Sequence, residues 1–189
     1  MSLIKNKKIV ISGGPGSGKT TLLNLLRKRG HECVEEFSRI LIKKAQKRGE
    51  NNIFKSEPIS FSEEIWKGRK KQYEKYDIAM NKTKKPYVFF DRGLHDVVAY
   101  LECIGVHYDP YKFDLSNFTY EMAFLLPPCK AIYIKDNERK EDFEENEKLY
   151  FYIKKTYQKH NIPIIEIPFQ NPELRISNLN KYLDNEKNA

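Results

Sequence analysis

The run Gly13-Gly14-Pro15-Gly16-Ser17-Gly18-Lys19-Thr20 fits the pattern G-x-x-x-x-G-K-[ST] without a mismatch. Its residue types suit one task. Glycines let the backbone curl until successive amide N–H groups point inward at phosphate oxygens. A helix starting at Lys19 adds the positive end of its dipole. Lys19 can reach β- and γ-phosphates, and the Thr20 hydroxyl can ligate magnesium. Gly13, Gly14, Pro15, Gly16, Ser17, Gly18, Lys19, Thr20 and the adjoining Thr21 are therefore expected to hold a nucleoside triphosphate, ATP, with Mg2+. Two further charged groups follow short apolar runs: Glu35-Glu36 with Arg39, and Asp91-Arg92.

These groups must be positioned by secondary structure. Ile9–Ile11 reads as a short buried strand that enters the glycine loop. Leu22, Leu23, Leu25 and Leu26 follow at helical spacing and Gly30 stops that helix. Residues 31–35 read as a second strand. Phe37, Ile40, Leu41 and Ala45 give an amphipathic helix closed by Gly49. Ser60 and Glu63 form a capping box for a long helix to about Asn81. Tyr87–Phe90 reads as a strand ending at Asp91, and residues 96–104 as a helix. Residues 105–115 read as an aromatic loop. Pro127 and Pro128 precede a strand over 131–134, and a charged segment, 135–147, leads into a helix ending near His160. Ile162–Ile167 is a strand, and Asn171-Pro172 caps the last helix. About five strands alternating with helices predict an α/β fold, a three-layer αβα sandwich on a parallel sheet. No repeat or linker divides residues 1–189, so one domain is expected. Right-handed crossovers place a ligand at the carboxyl ends of the strands, where each charged group above falls.

Composition excludes several classes. The chain has 189 residues, 40% apolar and 32% charged, which suits a folded core. No apolar run approaches the ~20 residues of a membrane helix, and the N-terminus does not read as a signal peptide. Cys33, Cys103 and Cys129 are scattered, which argues against a zinc site or disulfide framework and for a cytoplasmic protein. The histidines are isolated and read as solvated or satisfied. The net charge of +8 comes from lysines spread along helices, so a nucleic-acid partner is not expected. Lys67, Arg69, Lys70 and Lys71 form the densest cluster, and Glu63, Glu64 and Glu74 flank it as on an exposed helix face.

The glycine loop is shared by GTPases, ATPase machines and small-molecule kinases. Asn81-Lys82-Thr83-Lys84 lacks the aspartate of a guanine-reading N-K-x-D element. Asp91-Arg92 has arginine where a hydrolase would place its water-activating glutamate. The chain resembles the kinase side of the P-loop superfamily, and within it the AAA_28 predicted ATPases, relatives of the nicotinamide-nucleotide kinase domain. Residues 13–20, Glu36-Phe37-Ser38-Arg39, Phe90-Asp91-Arg92-Gly93, 139–144 and 157–168 carry that resemblance. Glu35 departs from it, and leaves open whether Glu35 or Glu36 faces the site.

The resemblance implies a kinase that moves the γ-phosphate of ATP to a nucleoside, nucleotide or similar hydroxyl. A nucleotide-gated switch acting on a protein or nucleic-acid partner is the alternative. In the kinase, Lys19, Asp91, Arg139 and Glu36 are the expected catalytic groups. Arg139, with Lys140, would close from a lid-like segment. Asp91 would join Thr20 at the metal or act on the acceptor hydroxyl, or else simply shape a turn. Glu36, Arg39 and Arg92 are expected to bind the acceptor. For the first two, the plain alternative is a Glu36–Arg39 pair within one helix. For Arg92 it is a salt bridge that shapes its turn. Trp66, Tyr73 and Tyr76 read as core or groove lining, and Tyr108 and Tyr111 as acceptor-pocket candidates.

Overall fold

Ile9, Val10 and Ile11 have no exposed surface, and their side chains alternate between two separate apolar cores. That is the signature of a central strand covered on both faces. The computed structural model describes residues 7–47, 56–78, 87–130 and 143–185. Strand β1 (Lys7–Gly13) lies between β3 (Tyr87–Asp91) and β4 (Met122–Leu126). β2 (Glu32–Val34) and β5 (Ile164–Glu166) form the edges, in the order β2-β3-β1-β4-β5. Every pairing is parallel.

One face carries α1 (Lys19–Lys28) and α6 (Pro172–Asn185), where Leu22, Leu23 and Leu26 meet Phe89, Phe124, Ile176 and Leu179. The other carries α3 (Pro58–Ile78), α4 (His95–Ile104) and α5 (Phe143–Lys159), with Trp66, Phe90, Leu101, Leu125 and Tyr157 among the buried residues. Helix α2 (Phe37–Lys47) leans on α3, where any side chain at Gly68 would collide with the Phe37 ring. The three-layer parallel fold is as the alternation predicts.

Three local expectations change. The fourth strand is Met122–Leu126, ahead of Pro127-Pro128. Its sequence, Met-Ala-Phe-Leu-Leu, has no β-branched residue and no alternation, because it is buried on both faces and burial overrides propensity. The expected strand over 131–134 lies outside the described residues. Ser60 is no cap: α3 begins at Pro58, whose fixed φ suits a first turn. Of the lid-like segment, 143–147 is the first turn and more of α5, and 135–142 lies outside the described residues. Asn171 does cap α6, its Oδ1 accepting the Glu173 N–H at 2.9 Å.

Candidate functional site

The loop between β1 and α1 closes as its glycines allow. Gly13, Gly16 and Gly18 have φ of 142°, 73° and 89°, a region that side chains disfavour. Lys19 is 7% exposed and folds back along the loop, donating to the carbonyls of Gly13 at 2.8 Å and Gly14 at 2.7 Å. Burial and the Arg92 charge lower its pKa to about 7, against the pull of Asp91, Glu36 and Asp96. The Thr20 hydroxyl accepts a hydrogen bond from Arg39 at 2.8 Å. Arg39 therefore turns towards the phosphate loop and does not pair with Glu36.

The register of β1 with β3 sets Asp91 beside Ile11, and the Arg92 N–H closes onto the Ile11 carbonyl at 3.1 Å. Asp91 is 7% exposed, and its buried Oδ1 has no hydrogen-bond partner. Burial, then the Glu36 charge, raises its pKa, opposed by Lys19, Arg92 and Arg39. Arg92 adopts a left-handed φ of 68°, a strained turn that throws its guanidinium back between two carboxylates.

Those carboxylates are Glu36 and Asp96. Glu36 is buried while Glu35 is exposed, which settles which of the two points inward. Glu36 Oε2 meets Arg92 Nε at 2.7 Å, and Oε1 meets Arg69 at 2.5 Å. Burial pushes the Glu36 pKa up, but Arg69 and Arg92 outweigh it and hold the carboxylate ionised. Asp96 accepts from Ser12 Oγ, from the Gly93 N–H at 2.9 Å, from Tyr157 at 2.7 Å and from Arg92 at 3.1 Å. Its pKa is likewise lowered on balance, burial opposing Arg92, Arg69 and the Ser12 and Gly93 hydrogen bonds. Arg69 also donates to the Gly93 carbonyl at 2.9 Å. β1, β2, β3, α3, α4 and α5 are thus tied together at the carboxyl edge of the sheet.

A cavity of about 200 Å3 opens on the other side of the phosphate loop, lined by Gly18, Thr21, Leu22, Arg175 and residues 169–172. Arg175 donates to the Ser17 carbonyl at 2.8 Å and the Pro168 carbonyl at 3.0 Å, and its guanidinium lies over the Phe169 ring.

Gly13 to Thr21, Glu36, Arg39, Asp91 and Arg92 therefore gather at one end of the sheet. Arg139 and Lys140 lie outside the described residues. Trp66 and Tyr73 are core, as read, with Tyr76 half-buried beside them. Tyr111 is 90% exposed, and Tyr108 packs edge-to-face on Phe113.

The sequence reading missed Ser12, Arg69, Asp96, Asn146, Tyr157 and Arg175. Arg69 was read as part of an exposed basic face and is instead 6% exposed beneath the site. Lys67 and Lys70 do pair on that face, with Glu64 and Glu74. Asp96 carried a usable signal, since it stands four residues after Arg92. His95 also differs from expectation. It is fully buried with neither ring nitrogen hydrogen-bonded, stacked on Tyr157 and edge-on to His160. Burial and His160 push its pKa down to about 3.

A parallel sheet in this order, with a glycine loop and lysine after its central strand, defines a P-loop NTPase of the kinase-like type. The AAA_28 family, described as an AAA domain, matches residues 8–175, and the chain belongs to it. Solved structures share the fold. Deoxyadenosine kinase from M. mycoides with bound dATP is 18% identical with a TM-score of 0.64, covering 94% of this chain and 99% of its own. NadR protein in complex with NR is 15% identical with a TM-score of 0.65, covering 88% of this chain and 47% of its own. No curated protein matches the chain.

Proposed function

We propose that this protein is an ATP-dependent kinase that phosphorylates a hydroxyl on a nucleoside-like small molecule. The observation that carries the reading is Asp91: a buried carboxylate with an unpartnered oxygen, next to the phosphate-loop strand. An uncompensated buried acceptor costs stability, about 1–3 kcal/mol, so its retention fits a ligand that completes it. Mg2+ with a triphosphate is such a ligand. It keeps several waters and takes few protein oxygens, and Thr20 Oγ1 and Asp91 are the donors that would hold it. The ion would supply charge neutralisation on the phosphates. Lys19 would exchange its carbonyl partners for phosphate oxygens, and Arg39 would release the Thr20 hydroxyl.

On the acceptor side, Glu36 is held ionised between Arg69 and Arg92. A carboxylate fixed in this way can orient a hydroxyl for in-line attack and accept its proton. Both buried guanidiniums are already committed to Glu36 and Asp96, which favours a neutral hydroxyl over an acceptor bearing phosphate. The cavity at Thr21 and Phe169 suits the base of the ATP. Deoxyadenosine kinase is seen with bound dATP and NadR in complex with NR, which is consistent with this reading.

The test is ADP formation with Mg2+ across a panel of nucleosides, nucleotides and cofactor precursors, with Lys19→Ala as control. Turnover with one acceptor, abolished in the control, is expected. ATP binding without acceptor-dependent turnover would replace this reading with that of a nucleotide-gated switch.

A further inference from the structure

Two carbonyls of the phosphate loop are held from outside by side chains of distant helices. Asn146 of α5 donates from Nδ2 to the Pro15 carbonyl at 3.0 Å. Arg175 of α6 donates from its guanidinium to the Ser17 carbonyl at 2.8 Å. Both are nearly fully buried, Asn146 at 2% and Arg175 at 4%. Each is over-equipped for a packing role. Asn146 Oδ1 and one terminal nitrogen of Arg175 are buried without a partner, so each side chain bears a desolvation cost to reach its carbonyl.

A trans peptide points its C=O and N–H in opposite directions within one plane. Fixing the Pro15 oxygen outward therefore turns the Gly16 N–H inward. Fixing the Ser17 oxygen outward does the same to the Gly18 N–H. Among the described residues, neither N–H donates to a backbone oxygen. Left free, glycine peptides of this kind flip readily, because both signs of φ are open to them. The phosphate cradle would then have to be ordered at each binding event.

The glycines themselves show the contact. A Cβ on Gly14 would fall 1.4 Å from Asn146 Oδ1, and one on Gly18 would fall 2.7 Å from the Arg175 guanidinium. Gly14 occupies a position that the G-x-x-x-x-G-K-[ST] pattern leaves unspecified. Its need for glycine thus comes from Asn146 and not from the phosphate-binding pattern.

We propose that Asn146 and Arg175 are positioning residues that hold the Gly16 and Gly18 amides aimed at the phosphates, so that the loop is preformed before nucleotide arrives. This inference rests on the triphosphate-binding role proposed above. Neither residue touches the phosphate. Each acts through the carbonyl of the same peptide whose amide it aims.

The experiment is calorimetric binding of inorganic tripolyphosphate with Mg2+, beside MgATP, to the wild type, Asn146→Ala, Arg175→Met and Arg175→Lys. Thermal melts check folding. Arg175→Met is expected to weaken tripolyphosphate by ~10-fold or more, the weight of a hydrogen bond from a charged donor, and MgATP by the same factor. Asn146→Ala should lose less, since its donor is neutral. Arg175→Lys should recover part of the loss, because an ammonium can still donate to the Ser17 carbonyl. In 15N spectra of the wild type, tripolyphosphate should shift the Gly16 and Gly18 amides, and Asn146→Ala should reduce the Gly16 shift.

Folded variants that bind tripolyphosphate as tightly as the wild type would overturn the proposal. So would a loss confined to MgATP, which would place Arg175 at the base instead. Should Arg175→Met fail to fold, Asn146→Ala and the Gly16 shift decide alone. A wild type with no affinity for either ligand would remove the functional reading and this inference together. Wild-type affinity that the variants retain would remove this inference only.

Discussion

The phosphate side and the acceptor side of this site are built on opposite plans. The phosphate loop is one contiguous segment whose proposed ligating groups are backbone amides, Lys19 and Thr20. The proposed acceptor side assembles Glu36, Arg69, Arg92 and Asp96 from separate parts of the chain, as alternating and largely buried charges. The loop gains its shape from glycine conformations and from the hydrogen bonds that Asn146 and Arg175 donate to its carbonyls. The acceptor side gains its shape from ion pairs and hydrogen bonds among its own side chains, although among the described residues Arg69 Nε is left without a partner. In the proposed function a ligand would rearrange side chains of the first, where Lys19 and Arg39 would exchange partners, but would have to fit the second as it stands.

The comparison breaks most sharply if one member of the ion network is removed. Glu36→Gln would leave the Arg69 guanidinium buried without its carboxylate, whereas Asp96→Asn would leave Arg92 with Glu36 alone and should cost less. Loss of one partner from a buried pair costs about 3–5 kcal/mol, and urea unfolding should show it. The acid side of the stability profile should move with it. Both carboxyls titrate below their ordinary range when folded, so the stability they confer at neutral pH is lost as pH falls through those depressed values. Either variant should flatten that acid limb. A cost under ~1 kcal/mol would mean that water, not protein, compensates Arg69 and Arg92, and the two plans would no longer differ.

This division also decides what could be read from the sequence. The fold and phosphate loop were legible because their signals are local: a strand before the glycines, leucines at helical spacing after them, and Asn171-Pro172 opening α6. Strand Met122–Leu126 was not, since a run buried on both faces has no period. The network was not legible because its pairings span long separations, 33 residues between Glu36 and Arg69 and 84 between Ser12 and Asp96. Arg69 sits among Lys67, Lys70 and Lys71, and only packing distinguishes the buried member from its exposed neighbours. Asn146 and Arg175 gave no sign, because a single Asn or Arg on a helix has no pattern that points to a loop carbonyl.

The comparison is sharpened next by pH on the phosphate side. Burial is the chief cause that depresses Lys19 to about 7. Bound phosphates would raise it again, so triphosphate binding above neutral pH must draw in a proton. Affinity should vary little between about pH 6 and 7 and fall by up to ~tenfold per unit above that. The second ionisation of phosphate, near 6, lies below that window. Calorimetry in buffers of different ionisation heat should show uptake of up to one proton near pH 8. Lys19→Arg, charged throughout, should show none. Flat affinity from pH 7 to 9 would mean that Lys19 is charged throughout that range before phosphate binds, like the members of the network.

Asp91 stands between the two plans and should give the smallest shift. Its carboxyl titrates above the ordinary value through burial and the Glu36 charge, with Lys19, Arg92 and Arg39 offsetting part of the effect. A carboxyl raised on folding contributes its full stability below its unfolded pKa and loses it as pH rises through the folded one. Asp91→Asn should therefore melt higher than the wild type at neutral pH, with the two curves converging in acid. Adding Mg2+ and triphosphate should reverse the order, because only the wild type has the carboxylate to offer the ion. A variant less stable than the wild type at neutral pH without ligand would place Asp91 in the structural network. A variant more stable without ligand, and stabilised less by it, would place Asp91 with the phosphate loop, as a group kept ionisable for a ligand at the expense of the fold.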